Sequence, residues 1–143
     1  MIICVIGLPG SGKTTYVKKT KEENDLVYDF DYLVDAFSYC GIHAEERPES
    51  AKWIANSLLE SLINNYQDYT DGNLYIIRTI PNKREVELFA NYNIKYIGIK
   101  TSAEKCRERL IKRDGFILQD FDLILERYTR NLRHIPPDLL EWV

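Results

Sequence analysis

The chain has 143 residues, 19 basic and 22 acidic side chains and a net charge of −3, a balance that gives no electrostatic case for an obligate nucleic-acid binder. That length suits a single domain over residues 1–143, and no apolar run approaches the roughly 18 residues that span a bilayer. The N-terminus lacks the basic stretch of a signal peptide, and Cys4, Cys40 and Cys106 show no C-x-x-C spacing, so a soluble cytoplasmic protein with free thiols and no membrane partner is expected.

Met1-Ile2-Ile3-Cys4-Val5-Ile6 is a continuous apolar run and reads as a buried strand. It leads into Gly7-Leu8-Pro9-Gly10-Ser11-Gly12-Lys13-Thr14-Thr15, which fits the phosphate-binding spacing G-x-x-x-x-G-K-[ST]. The residue types suit that chemistry. Gly7, Gly10 and Gly12 let successive N–H groups converge on an anion, with Pro9, Ser11 and Thr15 completing the loop. The helix expected over 14–23 adds its unpaired N–H groups and positive dipole end to the same point. Lys13 would reach the β- and γ-phosphates of ATP, and the Thr14 hydroxyl would hold Mg²⁺.

Farther along, residues 26–28 form a short apolar strand that delivers Asp29-Phe30-Asp31 to its carboxyl end, the edge where open α/β sheets bind ligands. A short helix is expected over 33–39, broken near Gly41. Ala51, Ile54, Ala55, Leu58, Leu62 and Tyr66 keep helical spacing after Pro48. Asp71-Gly72-Asn73 marks a turn, residues 74–77 a third strand ending at Arg78, and Pro81 and Asn82 the start of a helix to about residue 90. Residues 94–99 read as a fourth strand, and Thr101 or Ser102 caps a helix over 103–113 that Gly115 stops. A last helix covers 121–133, after which Pro136-Pro137 ends regular structure. Apolar strands alternating with helices imply a parallel sheet covered on both faces, a three-layer α/β fold.

If the chain stays extended from 29 to 31, both carboxylates face the phosphate loop. Asp29 would then orient magnesium, while Asp31 takes the proton of, or holds, an acceptor hydroxyl; helix capping is the other use of such a pair. Arg78 stands at a strand end where a guanidinium would clamp polyphosphate or substrate, or simply remain at the surface. Arg109 and Arg113 lie four apart on one helix face, suited to closing over transferring phosphates as a lid, although a charged run also suits a solvated face. His43 and His134 have no partner at metal-ligand spacing and read as surface residues. Tyr28, Tyr32, Phe37, Tyr39 and Trp53 either line a base-stacking pocket or belong to the core.

Together the loop, the acidic motif after strand two and the arginine-bearing helix after strand four resemble the small phosphate-loop kinases, within the P-loop NTPase superfamily. The resemblance is strongest to bacteriophage-type polynucleotide kinase domains and related AAA-like ATP-binding proteins. The residues carrying it are 6–15, Asp31-Tyr32 and Leu125-Glu126-Arg127-Tyr128-Thr129-Arg130-Asn131-Leu132. It implies four or five parallel strands in the order 2-3-1-4 with a C-terminal lid helix. It also implies a magnesium-dependent kinase that transfers the ATP γ-phosphoryl to a small molecule, a nucleotide or a 5′-hydroxyl. Two positions depart from the pattern: Leu33-Val34-Asp35 stands where an arginine follows the Asp-Tyr pair, and Arg78 where an Asp follows strand three. An ATP-hydrolysing regulatory module acting on a protein partner is the alternative in another class.

Overall fold

The computed structural model describes residues 1–115 and 120–143. Its centre is β1 (Ile2–Ile6), an apolar strand paired in parallel with β3 (Leu74–Arg78) on one side and β4 (Ile94–Gly98) on the other. Ile2 stands opposite both Leu74 and Ile94 in register. A strand flanked on two edges and covered on two faces has no polar surface to present, which is why β1 reads as an unbroken hydrophobic run. β2 (Leu26–Asp29) pairs with β3, and β5 (Leu140–Trp142) pairs with β4, so the five parallel strands run in the order 2-3-1-4-5.

β5 corrects the expectation that regular structure ends at Pro136-Pro137. The prolines form a turn with a short 3-10 segment, Pro137–Leu139, and the three residues beyond it join the sheet edge. Trp142 lies directly over Gly98, where a Cβ would come within 2.4 Å of the indole; the missing side chain lets the edge strand close.

Side-chain alternation along β1 divides the core. Ile2, Cys4 and Ile6 point into the larger layer, together with residues of α3 (Glu49–Asn65), α4 (Lys83–Phe89), α5 (Ala103–Asp114) and α6 (Phe121–Asn131). Val5 points the other way, with Tyr75, Ile77 and Ile97, against Val17 of α1 (Lys13–Thr20). α1 is shorter than the expected 14–23, ending before the acidic pair Glu22-Glu23. α2 (Phe30–Ser38) packs on α3 through Val34, Ala51 and Ala55. The last helix ends at Asn131 and passes into a 3-10 turn, Leu132–His134, in place of a continuous helix to 133.

Helix ends follow local chemistry. Asn82 and Glu85 form a reciprocal capping box at the start of α4, Ser102 accepts from the Lys105 amide at the start of α5, and Gly115 closes α5 in the left-handed region. Phe89 is fully buried with its ring centroid 6.5 Å from that of Tyr96. Phe89→Ala is expected to cost about 3–5 kcal/mol of unfolding free energy, checked by urea denaturation.

Candidate active site

The segment between β1 and α1 is shaped by backbone torsions that side chains resist. Gly12 has φ 101° and caps α1, and Gly10 has φ 80°. At Gly10 a Cβ would stand 3.0 Å from the Cys106 carbonyl and 3.2 Å from Leu110 Cγ, so α5 rests on the loop itself. Thr101 Oγ1 donates to the Ser11 carbonyl at 2.8 Å, and Arg109 Nη1 donates to the carbonyls of Gly10 and Ser11 at 3.3 Å each. Burial of Cys106 and Leu110 on the core side turns Arg109 and Arg113 toward the loop.

Lys13 donates from Nζ to the carbonyls of Gly7 at 2.7 Å and Leu8 at 2.9 Å. Burial pulls its ammonium down to about 8; Asp31, Cys106 and Asp29 oppose that shift and Arg113 adds to it. The Ser11 hydroxyl is buried without a hydrogen-bond partner among the described residues. A cavity of about 810 Å³ opens above the loop, walled by Pro9, Gly10, Ser11, Gly12, Lys13, Thr14 and Thr15 together with Asp29, Asp31, Arg109 and Arg113. Gly7 lies below it, its amide donating to the Thr79 carbonyl at 3.0 Å.

The extended geometry expected for Asp29-Phe30-Asp31 does not occur, because α2 begins at Phe30. Asp29 caps that helix, its Oδ1 accepting from the Asp31 amide at 3.1 Å, while Thr14 Oγ1 donates to its Oδ2 at 3.4 Å. One carboxylate thus both caps a helix and meets the first turn of α1. Burial, then the charge of Asp31, push the Asp29 carboxyl above the usual carboxylate range. A cation here would relieve that repulsion. Two hard oxygens at this point, and no cluster of three His, Cys, Asp or Glu among the described residues, fit Mg²⁺, which takes one or two carboxylates plus phosphate oxygens.

Asp31 remains at the cavity wall in the first turn of α2, ion-paired to Arg47. Nothing in the motif spacing points to Arg47, sixteen residues away on the loop before α3. Its guanidinium lies 5.4 Å from the centroid of the Phe30 ring. A second cavity of about 320 Å³ adjoins the first, bordered by Arg47, Arg78, Arg113 and Arg127, by Asp31, Asp114 and Asp120, and by apolar Phe30, Ile80 and Ile124. Both cavities share Pro9, Lys13, Asp29, Asp31, His43 and Arg113. His43 is exposed, as expected, yet stands where the two spaces meet.

Arg78 borders only the second cavity. Its guanidinium is ion-paired to the capping-box residue Glu85 and lies 5.6 Å from the Tyr28 ring and 5.7 Å from the Phe30 ring, so it faces α4 and the aromatic floor more than the loop. Arg113 makes two hydrogen bonds to Asp114, from Nε at 2.9 Å and Nη2 at 2.8 Å. Of the aromatic residues, Tyr28 is core, donating its hydroxyl to the Ala55 carbonyl at 2.5 Å, and Tyr32 borders the larger cavity. Phe37, Tyr39 and Trp53 are exposed outside both.

A strand-loop-helix phosphate cradle at the edge of a five-stranded parallel sheet is the P-loop NTPase fold. A family model described as an AAA domain matches residues 3–116, and the chain belongs to that family.

Solved structures with the same fold include a chain of the Pnkp1/Rnl/Hen1 RNA repair complex (TM-score 0.66, 19% identity), whose match covers 90% of this chain and 45% of that one. A putative kinase from Chloroflexus aurantiacus j-10-fl matches with TM-score 0.68 and 17% identity, over 99% of this chain and 86% of that one. A sugar kinase from Janibacter sp. HTCC2649 matches with TM-score 0.61 and 17% identity, over 99% and 83%. The chain thus spans less than half the length of the RNA-repair protein it resembles. No curated protein matches by sequence. No helix among the described residues is long and apolar enough to cross a membrane.

Proposed function

We propose that the protein is a magnesium-dependent phosphotransferase that moves the γ-phosphoryl of ATP to a hydroxyl. The observation that carries the reading is the meeting of two cavities at Lys13, Asp29, Asp31 and Arg113, one above the phosphate loop and one beside it. A donor and an acceptor bound in the two spaces would face each other across those four side chains. Holding both reactants in line, in a site that neutralises phosphate charge, is most of what phosphoryl transfer needs.

In this reading the triphosphate lies along residues 9–14, on the loop amides and the N-terminus of α1, with Gly7 shaping the loop from below and not touching the phosphates. Lys13 turns from the carbonyls of Gly7 and Leu8 to the β- and γ-phosphates. Arg109 and Arg113 stabilise charge on the γ-phosphoryl. Thr14 and Asp29 would hold Mg²⁺, which supplies charge neutralisation on the phosphate oxygens when bound. Asp31 accepts the proton of the acceptor hydroxyl as its oxygen bonds to the γ-phosphorus and the bond from that phosphorus to the bridging oxygen of ADP breaks. Arg78 bounds the acceptor space. The protein is read as a cytoplasmic enzyme, consistent with its free thiols.

The test is a screen of small hydroxylated metabolites, nucleosides, nucleotides and 5′-hydroxyl oligonucleotides with γ-labelled ATP. The expected result is label on one acceptor class. Label appearing only as inorganic phosphate across the whole screen would favour a regulatory ATP-hydrolysing module.

A further inference from the structure

Asp31 is already engaged by a partner that no motif announces. Its Oδ1 accepts from Arg47 Nη1, and the Arg47 side chain is only a quarter exposed. Phe30 lies under the guanidiniums of both Arg47 and Arg78, which keeps Arg47 at the second cavity. Arg47 sits on the connection between α2 and α3, which also brings Ile42, His43 and Ala44 to that cavity. The other ends of this segment are held by Gly41 N–H donating to Asp35 Oδ1 at 2.9 Å and by the N-terminus of α3.

Three arginines at the cavity have acidic partners, and the partners differ in what they do. Arg78 pairs with Glu85 and Arg113 with Asp114, carboxylates of helix termini. Arg47 pairs with Asp31, one of two carboxylates, with Asp29, that border both cavities. A guanidinium has five donors in a planar fork that matches a carboxylate or phosphate in two-point fashion, so a second anion entering beside Arg47 competes with Asp31 for the same fork. The space beside it, about 320 Å³, is at the small end of ligand pockets.

We propose that Arg47 is the acceptor-sensing residue of this site: it holds Asp31 until an acceptor bearing an anionic group next to its hydroxyl takes the guanidinium and releases the carboxylate to that hydroxyl. The inference rests on the phosphotransferase reading above and adds a selection rule to it. The acceptor is a small hydroxylated phosphate or carboxylate, and water alone, having no anion to offer Arg47, is a poor acceptor. The ion pair thereby limits hydrolysis of ATP to ADP and inorganic phosphate, in which a water oxygen bonds to the γ-phosphorus and the bond to ADP breaks.

The experiment uses the full chain with saturating ATP and Mg²⁺ and no acceptor, measuring phosphate release by the wild type, Arg47→Gln, Arg47→Lys and the double variant Arg47→Gln/Asp31→Asn. Arg47→Gln is expected to hydrolyse ATP on the order of tenfold faster, a part of the 10²–10⁴ that a positioned proton acceptor contributes. Arg47→Lys is expected to fall between it and the wild type, and the double variant to return to the wild-type rate or below. A purely structural role for Arg47 does not produce a gain that Asp31→Asn cancels. In a second measurement needing no variant, millimolar inorganic phosphate or acetate is added to the wild type. Stimulation by phosphate points to a phosphorylated acceptor and stimulation by acetate to a carboxylated one, each supporting the proposal.

An unchanged rate in Arg47→Gln with ATP affinity intact, a gain that survives Asp31→Asn, or stimulation by neither anion overturns the inference and leaves the ATP site standing. A wild type that binds no ATP in titration calorimetry refutes the phosphotransferase reading itself, and this inference with it.

Discussion

Lys13→Ala is expected to weaken ATP–Mg²⁺ binding by about ten- to a hundredfold, the worth of one or two charge-assisted hydrogen bonds, and to lower turnover by roughly 10²–10³. The ammonium sits at the floor of the larger cavity, where burial pulls it down to about 8 and little water competes with a phosphate for its protons. That value sets a pH dependence. A phosphate beside the ammonium raises its pKa above 8, so the advantage is fully present below pH 8 and is lost as pH rises through the higher bound value. Titration calorimetry from pH 6.5 to pH 10 checks both expectations. Wild-type affinity should decline on the alkaline side, and the Lys13→Ala protein should be weak and flat over the same range. Undiminished affinity in the variant would remove the loop from the site.

Asp31→Asn is expected to lower kcat by about 10²–10⁴ with whichever acceptor the label screen identifies, while the Kd for ATP stays close to wild type. The substitution keeps the shape of the side chain and leaves the Asp31 amide free to bond Asp29 Oδ1, so the start of α2 survives. What is lost is a carboxylate at the one wall that both cavities share with Lys13 and Arg113. Steady-state kinetics with ATP and acceptor varied separately decide it. A kcat within threefold of wild type would take the proton-accepting role away from Asp31.

The two ends of the chain show what a sequence can and cannot disclose. β1 and the loop after it were readable because each carries its own signal: an unbroken apolar run for a strand buried on two faces, and fixed glycine spacing for a phosphate cradle. β3, β4 and α5 were readable for the same reasons. β5 was not, since three residues after two prolines carry no periodicity, and the strand exists only because β4 offers an open edge and Gly98 makes room for Trp142. The start of α2 is not legible in the sequence, because an alternating Asp-Phe-Asp suits an extended chain as well as a capped helix, and here the cap prevails. Arg47 was invisible for a deeper reason. Its contact with Asp31 spans sixteen residues, most of α2 and the irregular connection after it, and a pairing made by tertiary folding leaves no trace in local spacing. The strand order 2-3-1-4 came from family resemblance, and the sheet has it with one strand added at the edge.

The stitching of the loop to α5 has a thermodynamic corollary. Thr101 and Arg109 hold the carbonyls of Gly10 and Ser11, and Leu110 lies against Gly10, so the amides of the loop keep their directions before any anion arrives. A binder that is already ordered loses little conformational entropy on complexation. Occupancy of this cradle should therefore leave the backbone dynamics of residues 8–12 almost unaltered, with the tightening concentrated in the segment that carries Arg47.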